Sequence, residues 1–91
     1  MENAIALLEV QAMVAANAGL DAMVKAASVE LIHVEKRLGG RLVTVVVEGS
    51  VSDVTAAAEA GKAAAAEVGN VKLCEVIARP HPEVMKFLTT G

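Results

Sequence analysis

At 91 residues and a net charge of −3, the chain has room for one small domain spanning residues 1–91 and no more. Its lysines and arginines are scattered and its only aromatic is Phe87. It therefore lacks the basic stripe and the stacking platform of a nucleic-acid binder, and no apolar run approaches the roughly 20 residues that cross a lipid membrane.

The segment Ala4 to Val10 reads as a short aliphatic strand. From Met13 to Ser28 the period changes: Asn17, Asp21, Lys25 and Ser28 gather on one stripe of a helix, and Met13, Ala16, Leu20, Met23 and Ala27 form the opposite stripe, predicted to face a sheet. Asp21 and Lys25 stand at i, i+4 in the favourable orientation. Val29 to Lys36 and Leu42 to Glu48 are β-rich, and Arg37-Leu-Gly-Gly-Arg41 between them predicts a hairpin whose glycine pair supplies positive φ. Ser50 with Asp53 resembles a capping box opening a second helix through Val68, with an apolar stripe of Val51, Val54, Ala58, Gly61, Ala65 and Val68 laid on the sheet. Gly69-Asn70 is expected to stop it. Val71 to Ala78 completes the strands, and Pro80 and Pro82 start a short C-terminal helix. The order β-α-β-β-α-β, with right-handed crossovers around a central hairpin, predicts an α/β ferredoxin-like sandwich with an antiparallel sheet and both helices on one face.

Hydrophobic residues make up 55% of the chain, but most are Ala and Val. A domain of this size buries only about 60–65% of the surface its unfolded chain exposes. With almost no aromatic area to bury, the monomer is expected to be marginal and oligomerisation to be the remedy. Only 21% of residues are charged, so part of the Ala/Val surface is expected to face another protein. The lone Cys74 cannot close an intramolecular disulfide and no secretory leader is visible, so a reducing cytosol is the expected compartment.

Chemistry is sparse. His33 lies mid-strand, His81 sits between two prolines, and Cys74 stands alone as a small half-buried hydrophobe; no pattern for a metal, a nucleophile with its base, or a phosphate-cradling loop is present. No cofactor and no catalytic residue is called for.

Several segments in order resemble a known family. Ala6-Leu-Leu-Glu9, Asp21-Ala-Met-Val-Lys-Ala-Ala27 followed by Val29-x-Leu31, Leu42-Val-Thr-Val45, Gly49 before a Val-rich helix start, Ala60-Gly61 and Ala78-Arg-Pro-His81 are similar to the bacterial microcompartment shell domain in its single-domain, hexamer-forming version. The resemblance implies a non-enzymatic cyclic homohexamer in the bacterial cytoplasm that tiles laterally, alone or with other shell proteins, around the enzymes of one pathway. It implies that Lys25 is the edge lysine between hexamers and that Arg79 and His81 form a corner engaging the neighbouring hexamer. Arg37, Leu38, Gly39, Gly40 and Arg41 take the place of the pore loop through which small metabolites pass. This loop is one residue longer than the common Lys-Ile-Gly-Ser-Gly version and adds Leu38 and two arginines. Ser28, Ser50 and Ala12 also depart from the usual Asn, Asp and Gly. Repulsion among six copies of both arginines predicts that at least one turns away from the axis or pairs with Glu35 or Glu48.

Two other readings stay open on sequence. A ferredoxin-like ligand-binding regulatory module would use Asn17, Asp21 and Lys25. An acylphosphatase-like enzyme would want an Arg-bearing anion loop after the first strand, where this chain has Val10-Gln-Ala-Met-Val14.

Overall fold

Strict alternation places Ala4, Ala6, Leu8 and Val10 on one face of the first strand, β1 (Ala4–Gln11), and all four are buried. The computed structural model describes residues 4–78. It continues with α1 (Met13–Ala26), β2 (Glu30–Arg37), a 3₁₀ turn over Leu38–Gly40, β3 (Leu42–Gly49), α2 (Val51–Ala66) and β4 (Asn70–Ile77). The sheet order is β2-β3-β1-β4 with every neighbouring pair antiparallel, which is the ferredoxin-like topology expected from the element order. The expected C-terminal helix lies outside the described residues.

Both helices pack on one face of the sheet. Their buried residues Ala15, Ala16, Met23, Val54, Ala57, Ala58 and Ala65 join Ala4, Ala6, Leu8 and Val10 of β1 and Val43, Val45 and Val47 of β3 in one core. Ile5 and Val46 form a second, smaller cluster with Leu7, Ile32 and Ile77 on the sheet's other face. The molecule is a slab of 35 × 26 × 16 Å.

The predicted inward stripe of α1 is correct, since Ala16 and Met23 are buried and Met13, Leu20 and Ala27 pack against the core. The helix ends at Ala26, two residues before Ser28. In α2 the middle of the predicted stripe is buried, but Val51 in its first turn is 54% exposed, and the helix ends at Ala66 rather than running through Val68, which is 53% exposed. Gly61 also serves a different neighbour from the one expected. It faces α1 rather than the sheet: a Cβ built on it would come 2.6 Å from Met23 Cγ and 3.2 Å from the Gly19 carbonyl oxygen. Gly19 answers with its own missing side chain, since a Cβ there would lie 2.6 Å from Leu8 Cδ2 and 3.3 Å from the Gly61 carbonyl oxygen. Two glycines thus let two helix backbones approach at one crossing.

Ser50 caps α2 as its sequence suggested: its hydroxyl oxygen accepts from the Asp53 backbone N–H at 3.1 Å. The reciprocal half differs from a capping box, because the Asp53 carboxylate accepts from the Ser50 hydroxyl at 3.0 Å instead of from backbone. Ser50→Ala is expected to cost about 1 kcal/mol, read as a lowered urea midpoint with an unchanged slope. At the other end, Gly69 donates its N–H to the Ala65 carbonyl at 2.9 Å. It is required there for space, because a Cβ would run into the Gln11 carbonyl.

Candidate functional site

The hairpin joining β2 to β3 is tighter and more strained than a plain glycine turn. Leu38, Gly39 and Gly40 all have positive φ, at 54°, 68° and 90°. The two glycines adopt this freely; Leu38 is the one non-glycine to do so among the described residues, at a cost of roughly 1 kcal/mol. The residue is 66% exposed, so little packing among the described residues compensates. The Leu38 carbonyl closes the turn by accepting the Arg41 backbone N–H at 3.3 Å and the Arg41 Nε–H at 3.2 Å.

A register shift between Leu31 and His33 in the β2–β3 pairing sets which side chains share a face. Beyond it, His33 pairs with Val46 and Glu35 with Thr44, so His33, Glu35 and Arg37 line the sheet face opposite the helices. The Glu35 carboxylate bridges its neighbours. One oxygen accepts from Arg37 Nε at 2.9 Å; the other is 3.3 Å from His33 Nε2, and that nitrogen carries the proton because a carboxylate only accepts. The Arg37 guanidinium first, and then the His33 ring, hold the Glu35 carboxyl below the usual carboxylate range. The pairing is therefore fully present at neutral pH and is lost only as pH falls through that lowered value. Arg37 thus takes the Glu35 partner expected of one of the two arginines. Arg41 does not reach Glu48, which sits at the far end of β3, roughly 20 Å of strand away. The part of His33 was missed by sequence reading, although the i, i+2, i+4 spacing of His33, Glu35 and Arg37 is its signal.

Lys25 stands in the last turn of α1 with its side chain 74% exposed, 2.9 Å from the Asp21 carboxylate. Arg79 and His81 fall outside the described residues. Cys74 is half-buried, donates weakly to the Ala58 carbonyl at 3.6 Å, and has its thiol pKa pushed up by burial, as befits a packing residue. Among the described residues no group of His, Cys, Asp and Glu is placed to hold a metal, and no helix is long and apolar enough to cross a membrane.

This combination of a ferredoxin-like sandwich and a glycine hairpin between β2 and β3 agrees with comparison to known proteins. The family profile described as the BMC domain matches residues 4–80. The chain belongs to the BMC domain family. It is 48% identical over 90 residues to the bacterial microcompartment shell protein PduA of Citrobacter freundii, covering 99% of this chain and 96% of that protein. It is 41% identical over 88 residues to the shell protein EutM of Escherichia coli K12, covering 97% and 90%. Among solved structures, a microcompartments protein from Desulfitobacterium hafniense DCB superposes with a TM-score of 0.85 at 28% identity, over all of this chain and about half (49%) of that one. The BMC-domain chain is accordingly a structural shell subunit and not an enzyme, which sets aside the acylphosphatase-like and regulatory-module readings.

Proposed function

We propose that this shell subunit works as a cyclic homohexamer in the bacterial cytoplasm, with the 37–41 loops converging on a central opening. The hexamers tile through Lys25, Arg79 and His81, alone or with other shell proteins, to enclose the enzymes of a pathway. Small metabolites cross through the opening, where Leu38, Gly39 and Gly40 form the constriction.

The observation that carries this reading is where the chain leaves aliphatic surface uncovered. Leu31 and Val34 on β2 and Leu73 and Val76 on β4, the two edge strands, are 38–41% exposed, and Val14 and Val51 on the helices and Val68 just beyond α2 are 53–70% exposed. Unpaired sheet edges carrying aliphatics are surfaces that soluble monomers avoid, and a small Ala/Val core gains most from covering them with copies of itself. Sedimentation at micromolar concentration is expected to show a hexamer as the dominant folded species. A folded monomer or dimer in its place would overturn the assembly.

A further inference from the structure

The geometry points to Arg41 as the residue that sets the charge preference of the loop, with Glu35 acting as the neutralising partner that removes Arg37 from that role. This assignment rests on the pore reading above and names the ionic class the opening favours: small anions.

The two arginines flank the same turn but meet different partners. Arg37 gives its Nε–H to a carboxylate oxygen at 2.9 Å, so its positive charge is balanced in place. Arg41 gives both its backbone N–H and its Nε–H to one neutral acceptor, the Leu38 carbonyl. Among the described residues it has no ion pair. The Nε bond to the loop's own backbone ties the side chain back onto the turn, and among the described residues the terminal guanidinium nitrogens have no partner. Lys36 does not substitute for it, because its pairing with Val43 puts it on the helix side of the sheet. Both Glu35 oxygens are engaged on β2, one by Arg37 and the other by His33, which holds the carboxylate beside Arg37. Each loop therefore carries one balanced and one unbalanced cation, and six-fold repetition multiplies only the unbalanced one into a ring of like charge.

Counting charge gives an unequal set of outcomes that a merely structural role would not produce. Assembled hexamers in a planar bilayer under a potassium chloride gradient report the chloride-to-potassium permeability ratio as a reversal potential, with hexamer integrity checked by sedimentation. Arg41→Gln is expected to lower the ratio by about tenfold, the lower end of what a focused ring of charge supplies, while Arg41→Lys retains it. Glu35→Gln raises the ratio, because it unmasks Arg37. The double variant Glu35→Gln, Arg37→Gln removes a balanced pair and leaves the ratio as it was. An unaltered protein that passes no ions, or passes both equally, overturns the pore reading and the assignment with it. An unaltered protein that prefers chloride, combined with an Arg41→Gln variant that keeps that preference or a double variant that loses as much as Arg41→Gln, overturns the assignment alone.

Discussion

Gly61→Leu is expected to lower the stability of the chain by about 3 kcal/mol, the upper end of the usual cost of forcing extra carbons into a packed interior. The first added carbon already meets Met23 Cγ at 2.6 Å and Sδ at 3.1 Å, and Met23 is itself fully buried and has no open space to move into. On the other side stands the Gly19 carbonyl oxygen, part of a helix backbone that cannot yield without separating α1 from α2. Gly61→Ala separates the two effects: the same close contact is partly offset by the ~1 kcal/mol that Ala gains over Gly in a helix interior. Thermal unfolding at several protein concentrations, which exposes any part due to assembly, measures both variants. A melting temperature for Gly61→Leu equal to that of the unaltered chain would show that the crossing is looser than described.

Lys25→Ala is expected to abolish lateral sheets while leaving soluble hexamers of unchanged stability. The two effects separate because the fold owes the residue little: an exposed i, i+4 pair such as Asp21 and Lys25 contributes about 0.3 kcal/mol. In the proposed tiling the aliphatic stem lies against a neighbouring hexamer and the ammonium reaches acceptors across the seam, so six copies per hexamer are lost together. Negative-stain microscopy of overexpressing cells reads the outcome. Sheets that form as readily with Ala at this position would leave Lys25 as a helix-surface charge only.

Much of this architecture was legible in the residues because local signals agreed. The short aliphatic run of β1, the Asn17, Asp21 and Lys25 stripe, the Ser50 cap and the Gly39-Gly40 hairpin each fix an element without reference to any other. What escaped depends on which elements meet. Gly61 reads as a small residue on an apolar stripe, and nothing in its neighbours says that Gly19, forty-two residues earlier, stands opposite. Val51 and Val68 continue the period of the stripe, but period does not reveal that the helix stops at Ala66 or that its first residue is left exposed. At the loop, a pairing of one arginine with Glu35 follows from charge alone. The joining of His33 to it follows from the i, i+2 alternation along β2, and only the sheet face the three residues occupy depends on the register shift after Leu31, which the pairing with β3 discloses.

The thinness of the slab bears on transport kinetics. One helix layer on one sheet, drawn together by Ala, Val and a pair of glycines, gives a body 16 Å through its short axis. If the proposed opening runs along that short axis, the passage is only a few solute diameters long. Its resistance is then dominated by the entrance and exit rather than by the length travelled, and flux per opening varies with mouth radius more than with wall depth. In the proposed hexamer, discrimination between solutes would then rest on the one ring of side chains and backbone that the 37–41 loops supply.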